Sequence, residues 1–422
     1  MLVTVIAEGA TLRHFDALAV AGLAPNWARL RQTSLTKPMQ CGPAPYEPSN
    51  LASAFTGTGR GRHGCYSYWA MRDGLPDRPR VLTSADVQAP WFWHWPQLDG
   101  LRKAVFNVQL TDPPQPLDGI LFSYLMQQKL RFTFPDDVRE DMVRNGLRYG
   151  HDVSAFYAGG GFEWLWSRTK AIADYQLEAA LTYGVDADIL IINLTLIDRI
   201  SHFFWADPAE LVGDEACTLR RAYEWTDSAL GRLDALAGDA PLLVFSEIGF
   251  GPIDGFVSLD DVLDAANLQT RSTQGELDYQ SSAAVEAAQG AHGILVLEPS
   301  ARSDVIAALT EATDPQTGTP LIASIHAAEE HYSGPASSLA PDLVIEPADP
   351  RRPPLGDARW ANHVNRHLQT GWHRNEGFAL WHRCGLMDVG AAGIHLPDIA
   401  PTLAGLVGRD APAGLDGRCL AR

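Results

Sequence analysis

Four carboxylates and two imidazoles lie where the sequence predicts strand ends or the turns that follow them. They are Glu8, Glu47, Asp198, Glu247, His202 and His373. Mixed oxygen and nitrogen donors suit Zn, Mn or Fe better than Ca or Mg alone. Six ligands exceed the needs of one catalytic ion that keeps an open position, whereas two ions about 3.5–4 Å apart would use them all. The residue types therefore predict a site for two divalent metal ions.

Asp198 and His202 give the most specific spacing in this set. In the segment LIDRISHFFW they are four positions apart, which places both side chains on one face of a helical turn. Glu8 ends the run VIAEG, Glu247 ends VFSEI, and His373 precedes an apolar run in GWHRNEG. A single strand-end carboxylate or a single histidine is more often structural, so the prediction depends on the whole set.

The segments that must position these residues are mostly continuous apolar runs. They span 2–7, 103–110, 188–195, 241–249, 293–299, 342–347 and 377–382. Such runs are typical of strands buried on both faces, as in a parallel sheet. Helical spacing of apolar residues lies between them, for example at 175–185 and 218–238. The alternation predicts an α/β fold with a mostly parallel central sheet flanked by helices, in which ligands collect at the carboxyl ends of strands.

The chain length of 422 residues allows one large domain or a core with an inserted lobe. From about 250 to 370 the sequence is richer in Pro, Ser and Asp, in segments such as TDPQTGTPL and EPADPRRPPLGDARW. We expect one domain over 1–422. Within it, 250–370 forms a lobe or excursion near the site that returns to the core near His373.

The formal net charge of −18 excludes nucleic acid and anionic membranes as bulk partners. A small anionic substrate would then need local positive charge, which bound metal can supply. Arg62, Arg199 and Arg374 lie near the motifs and are weaker candidates for contacting it. The five cysteines lack a CxxC spacing, and there is no signal-peptide pattern and no membrane-spanning run. A cytoplasmic protein is expected, and its oligomeric state stays open.

The order of the segments resembles the alkaline phosphatase superfamily, in its type I phosphodiesterase / nucleotide pyrophosphatase branch. EPSNLASAFTGTGRGRHG is similar to the family's nucleophile loop, LTLIDRISHFFW to its Asp-x3-His segment, and GWHRNEGFALW to its His-Arg-x-x-Gly segment. The resemblance covers nearly the whole chain. It implies an alkaline phosphatase-like fold and a hydrolase that binds two zinc ions.

The resemblance also divides the candidate ligands into two halves. In the family, one zinc ion is bound by an Asp, the His four residues on and a late His, which correspond to Asp198, His202 and His373. The second is bound by a first-strand Asp, an Asp-His pair and the nucleophile, which correspond to Glu8, Glu247, Ile248 and Glu47. One half matches the family, and the other has lost an imidazole and gained a carboxylate.

Glu47 stands where the family has its Thr or Ser nucleophile. Attack by a carboxylate would form an acyl phosphate with a very different leaving step. We expect instead that Glu47 binds or bridges metal, or acts as a general base. Ser49 is the nearby substitute hydroxyl, but it points elsewhere if the loop keeps the family's geometry.

Three functions remain open at this stage. The one we predict is hydrolysis of a phosphate or phosphonate-type ester by a metal-bound water, with Glu47 as a catalytic residue. The alternative is a redox enzyme, di-iron or Mn/Fe and O2-activating, because four carboxylates and two histidines are also the ligands of such proteins. The third is a non-catalytic pseudoenzyme, against which the retention of Asp198, His202 and His373 argues.

Overall fold

Strands and helices alternate in the computed structural model, which describes residues 1–72, 80–126, 129–151, 159–287, 292–356, 363–387 and 393–422. The strands are β1 (Leu2–Ala7), β2 (Ser34–Gln40), β3 (Lys103–Val108), β4 (Gly119–Ser123), β5 (Thr133–Phe134), β6 (Ile189–Leu194), β7 (Leu242–Ser246), β8 (Gly249–Pro252), β9 (Val257–Ser258), β10 (Ala284–Glu286), β11 (Gly293–Val296), β12 (Ile322–Ala327), β13 (Leu343–Pro347), β14 (Pro354–Leu355), β15 (Gly371–Arg374), β16 (Glu376–His382) and β17 (Ile394–His395). The α-helices are α1 (Leu12–Val20), α2 (Pro25–Thr33), α3 (Glu47–Thr56), α4 (Arg60–His63), α5 (Asp136–Arg144), α6 (Phe162–Tyr183), α7 (Leu196–Phe203), α8 (Pro208–Gly213), α9 (Thr218–Ala237), α10 (Leu259–Ala265), α11 (Arg302–Glu311) and α12 (Ile399–Leu406). Short 3-10 turns cover Phe92–His94, Pro96–Leu98, Pro299–Ala301, Ala328–Glu330, Ser337–Leu339, His363–Leu368 and Leu396–Asp398.

The central sheet has the order β17-β2-β16-β7-β1-β6-β3-β4-β5. Its middle strands β7, β1, β6, β3 and β4 run parallel, while β16 pairs antiparallel with both β7 and β2. The carboxyl ends of the parallel strands therefore share one edge. This confirms the predicted α/β fold with a mostly parallel sheet.

Both faces of the sheet are covered, which explains the continuous apolar runs. In β1, Val3 and Val5 pack against the layer that contains α1, α2, α6 and α9. Leu2 and Ile6 point to the opposite layer, which contains α3 and α12. Alternating side chains of one strand thus enter two different cores, so both sets are mostly apolar.

Two of the predicted strands belong to a second sheet. Residues in 293–299 and 342–347 form β11 and β13, which pair antiparallel in the order β10-β11-β13-β12. Their apolar runs are continuous because this sheet is also covered twice. Ile294 packs with α10 and α11, whereas Leu295 packs with Met71 and Tyr279 on the other face. Burial on both faces therefore does not identify a parallel strand by itself.

The chain leaves and re-enters the region of the site through two paired strands. β8 runs antiparallel to β15, with Phe250 opposite His373. The second sheet lies within the intervening chain, so the predicted excursion of 250–370 begins and ends beside the site. That residues 250–370 form a separate lobe stays a prediction.

The helical stretches predicted at 175–185 and 218–238 belong to α6 and α9. The sequence analysis missed β2, because Ser34–Gln40 is mostly half-exposed and polar. In the described part of the chain, no helix is long and apolar enough to cross a bilayer.

Candidate active site

Asp198, His202 and His373 form a buried cluster beyond the carboxyl ends of β6 and β7. One ligand atom from each residue can be chosen so that all lie within 4.8 Å of one another. The Asp198 Oδ1 atom is 3.2 Å from His373 Nε2, and Asp198 Oδ2 is 3.5 Å from His202 Nε2. Asp198 and His202 reach the cluster from one face of α7, as their spacing predicted.

Two glycines allow the elements around this cluster to approach closely. Gly9 follows β1 with φ of +71°, and a Cβ atom there would lie 3.0 Å from the Cα and Cβ atoms of Asp198. Gly371 begins β15, and a Cβ atom there would lie 2.3 Å from the Ser201 carbonyl oxygen. Larger residues would push α7 away from β1 and from the strand that carries His373.

Glu47 is the first residue of α3 and lies beside the cluster. Its Oε2 atom is 3.7 Å from His373 Nδ1, and its side chain is 7% exposed. A carboxylate at a helix N-terminus is favoured by the helix dipole. Ser49 lies one half-turn further into α3, fully buried, and its hydroxyl makes no hydrogen bond among the described residues.

Glu8 is fully buried and surrounded by nitrogen donors. Its Oε1 atom lies 3.0 Å from Arg199 Nη1. Its Oε2 atom accepts hydrogen bonds from the side-chain amides of Asn193, at 2.6 Å, and Gln109. Asn193 also donates to Gln109 Oε1 at 3.0 Å, which fixes the Gln109 amide with its NH2 group toward Glu8. Arg199 ion-pairs with Asp198 as well.

Glu247 ends β7 and is also fully buried. Within the described part of the chain, neither of its carboxylate oxygens has a hydrogen-bond partner. Its backbone carbonyl accepts a hydrogen bond from Asn50 Nδ2 at 2.8 Å, and Arg60 donates to Asn50 Oδ1 at 2.7 Å. Ile248 follows it, fully buried and apolar.

Burial shifts the pKa values of the carboxyl groups in the site. It raises the pKa of Glu8 to about 7, against the opposing charge of Arg199. It also raises the pKa of Glu47 and, well above the usual range, that of Glu247. Burial opposes ionisation of Asp198, but Arg199, His202 and His373 outweigh it and lower its pKa. The ionised forms of these three buried carboxylates are therefore costly unless positive charge lies nearby.

Aromatic rings line the two sides of the site. His202 packs edge-on against Phe250, with ring centroids 4.9 Å apart, and against Trp372 at 5.3 Å. On the side of Glu8, the Tyr124 hydroxyl accepts a hydrogen bond from Arg199 Nη2 at 3.2 Å, and the Tyr124 ring stacks on Tyr68 at 6.3 Å. These rings limit access of water to the carboxylates.

Two of the three arginines considered for substrate binding lie elsewhere. Arg62 is 40% exposed and ion-pairs with Asp416 at 3.3 Å. Arg374 donates to backbone carbonyl oxygens, those of Pro252 at 2.5 Å and His373 at 2.9 Å. The structure does not bring either guanidinium into the carboxylate cluster. It brings Arg199 there instead.

The six predicted ligands thus fall into two groups of three that differ in geometry. Asp198, His202 and His373 fit one transition-metal ion, because a carboxylate and two imidazoles are a common donor set and the His202 and His373 Nδ1 atoms have no hydrogen-bond partner in the described residues. Among those residues, Glu8, Glu47 and Glu247 form no comparable cluster.

Sequence analysis missed three residues of the site. Gln109 follows β3 at the same sheet edge, Asn193 interrupts the apolar run of β6, and Tyr124 follows β4. A polar residue inside or just after a buried strand is the signal that could have identified the first two. Tyr124 carries no such signal.

Comparison with known families and structures gives a consistent result. The family model described as type I phosphodiesterase / nucleotide pyrophosphatase matches residues 2–373. A search of curated proteins by sequence found no match.

Several solved structures share the fold at low sequence identity. Phosphonoacetate hydrolase from Sinorhizobium meliloti 1021, in complex with phosphonoformate, has a TM-score of 0.68 at 16% identity and covers 97% of this chain and 95% of its own. Human ectonucleotide pyrophosphatase / phosphodiesterase 5 has a TM-score of 0.62 at 14% identity, over 99% and 97%. Wild-type alkaline phosphatase PafA has a TM-score of 0.59 at 13% identity, also over 99% and 97%.

Proposed function

The chain belongs to the type I phosphodiesterase / nucleotide pyrophosphatase family, a family of hydrolases, and we propose that it hydrolyses a small anionic phosphate or phosphonate ester by direct attack of water. One observation carries the proposal. A buried Asp-His-His cluster lies beside the carboxylate of Glu47, whose Oε2 atom is 3.7 Å from His373 Nδ1. The resemblance of the sequence motifs assigns Glu47 to the family's nucleophile position. The net charge of −18 favours a small-molecule substrate over nucleic acid or membrane. The cytoplasmic location stays a prediction.

Asp198, His202 and His373 would hold a divalent metal ion. When bound, such an ion supplies Lewis-acid polarisation and positive charge for the phosphoryl oxygens. Aromatic packing around His202 holds its ring in place. Zn, Mn and Fe all suit this donor set.

Glu47 would act as the general base. Its raised pKa brings it nearer to neutral pH, where a base is most effective. The attacking water forms the new bond to phosphorus and passes a proton to Glu47 Oε2. The bond from phosphorus to the ester oxygen breaks, and the leaving alcohol receives a proton from Glu47 or from solvent. No bond forms between the protein and phosphorus.

Stereochemistry at phosphorus tests this mechanism. Direct attack of water on a chiral phosphorothioate diester inverts the configuration, whereas two displacements through a covalent intermediate retain it. We expect inversion with the metal-loaded protein, and a rate at least about 100-fold lower for Asp198→Asn, which keeps the shape of the side chain. Retention would contradict the proposal, and so would a rate that Asp198→Asn leaves unchanged.

The redox alternative is the second candidate, and the donor set supports it. Two histidines and one carboxylate also bind Fe(II) in non-haem oxygenases. Oxygen consumption by the Fe(II)-loaded protein, above that of Asp198→Asn, would favour this function. A protein that binds no transition metal at all would favour the pseudoenzyme.

A further inference from the structure

The second half of the site differs from the one that the sequence predicted, because Arg199 lies inside it. Arg199 follows Asp198 in α7 and is 4% exposed. Its Nη1 atom lies 3.0 Å from Glu8 Oε1 and also ion-pairs with Asp198 Oδ2. Its Nη2 atom donates to the Tyr124 hydroxyl at 3.2 Å. The guanidinium therefore bridges the carboxylates of the two halves.

Three neighbours limit what Glu8 can offer to a metal ion. Its Oε1 atom makes no hydrogen bond within the described residues but is ion-paired with Arg199, and its Oε2 atom accepts hydrogen bonds from the side-chain amides of Asn193 and Gln109. A carboxylate oxygen that accepts two such hydrogen bonds has used the lone pairs that a metal would need. The contact between Asn193 and Gln109 Oε1 keeps both amide NH2 groups directed at Glu8.

The remaining residues of this half make a poor metal site. Ile248 stands where the resemblance places an imidazole, and its side chain cannot coordinate a metal. Glu47 and Glu247 are then two carboxylates, fewer than the three protein ligands of a catalytic zinc site. A guanidinium stays protonated in proteins, so its charge also repels any cation that would approach Glu8.

We propose that the protein binds a single divalent metal ion, at Asp198, His202 and His373, and that the Arg199 guanidinium takes the electrostatic place of the second ion. Arg199 then supplies fixed positive charge on the side of Glu8 without a metal. The inference rests on the proposed function, because it concerns the same site, but it makes a separate claim about stoichiometry.

Metal content tests this claim independently of activity. The purified protein is loaded with Zn or Mn, passed through a desalting column and analysed by mass spectrometry. We expect about one equivalent per chain, and about two for Arg199→Met, which removes the charge and frees the Glu8 Oε1 atom to join Glu47 and Glu247 as a third ligand. Arg199→Lys, which keeps a positive charge, and Arg409→Met, which changes an exposed arginine, should both stay at about one.

Each result decides between the claims. Two equivalents in the unchanged protein would overturn the single-ion inference and leave the proposed hydrolase standing. One equivalent in a folded Arg199→Met would overturn the role given to Arg199, because the amides on Glu8 and the apolar Ile248 would then be enough to exclude the second ion. No bound metal would overturn both proposals. If Arg199→Met does not fold, anomalous scattering from crystals of the metal-loaded protein still distinguishes one ion from two.

Discussion

His373 Nε2 lies 3.2 Å from Asp198 Oδ1, although the two residues are 175 positions apart in the chain. Asp198 is carried by α7 after β6, and His373 by β15, which pairs with β8 after β7. The three proposed ligands therefore meet only when the sheet and the β8–β15 pair are both formed. Because an unfolded chain cannot offer this site, metal binding must stabilise the folded state.

Chelation should lower the stability of the protein. At a free metal concentration of about 100 times the dissociation constant, binding contributes about 2.7 kcal/mol to the free energy of unfolding. We expect a loss of that size when the metal is removed, measured by urea unfolding with and without a chelator. His373→Ala serves as the control, since it lacks a ligand and its stability should respond little to metal. An equal response from the variant would place the metal elsewhere.

Glu47→Gln should separate catalysis from metal binding. The substitution keeps the size of the side chain but removes its ability to accept a proton, so kcat should fall by about 10²–10⁴-fold while the metal content is unchanged. Ser49→Ala is the matched control from the same helix, and it should keep kcat within about two-fold. If metal is lost together with activity in Glu47→Gln, Glu47 is a ligand and not the base. A large loss in Ser49→Ala would make Ser49 the nucleophile.

The sequence predicted the central sheet well but could not assign every strand to it. Strands such as β1 and β6 could be predicted because their apolar runs are long and end in polar residues at one sheet edge. β11 and β13 have the same pattern for a different reason, since Met71 and Tyr279 cover a second, separate sheet. The hydropathy pattern indicates that both faces of a strand are buried, but it does not indicate which segments of the chain cover those faces.

The candidate site was predicted as a set of carboxylates and imidazoles, and the structure adds what surrounds them. Arg199 was one of several arginines near the motifs. Adjacent helical residues point in different directions, so its sequence position beside Asp198 did not predict a shared contact with Glu8. Only the fold shows that its long side chain reaches that carboxylate. Gln109 and Asn193 can be noticed as polar residues just after or inside a buried strand, but no motif connects these neutral amides with Glu8.

The folded protein should lose stability in mild acid because it buries His63 in the neutral form. Burial, together with the charge of Arg60, lowers its pKa from 6.5 to about 3. Its Nε2 atom lies 2.9 Å from Ser53 Oγ, and its Nδ1 atom accepts a hydrogen bond from the Cys65 backbone N–H at 3.1 Å. A proton on Nδ1 would remove that acceptor. The unfolded chain therefore binds a proton more readily than the folded one, and the stability that His63 provides is lost as the pH falls below 6.5.

The difference between two pH values isolates this contribution. Between about pH 7.5 and about pH 5, the free energy of unfolding should fall by about 2 kcal/mol, because buried His63 stays neutral while the same imidazole takes up a proton in the unfolded chain. His63→Gln does not titrate, so its stability should fall by about that much less over the same range. His331→Gln changes an exposed histidine and should follow the unchanged protein. The measurement is urea unfolding with a chelator present, and equal pH dependence of all three proteins would contradict the assignment.

Gly9→Ala should disturb the metal site through a contact with the backbone of α7. Gly9 has φ of +71°, and the new Cβ atom would lie 3.0 Å from the Cα and Cβ atoms of Asp198. Gly22→Ala is a matched control, because Gly22 has φ of +76° but no atom of the described residues within 4 Å of its Cβ position.

Both variants should lose about 1–2 kcal/mol of unfolding free energy, because alanine is strained in the left-handed backbone conformation. Only Gly9→Ala should lose more than that and also bind metal about 10–100-fold more weakly, because Asp198 must move. Unfolding and metal titration of the two variants give the comparison. Equal metal affinity in both would show that the position of Asp198 does not depend on the close approach at Gly9.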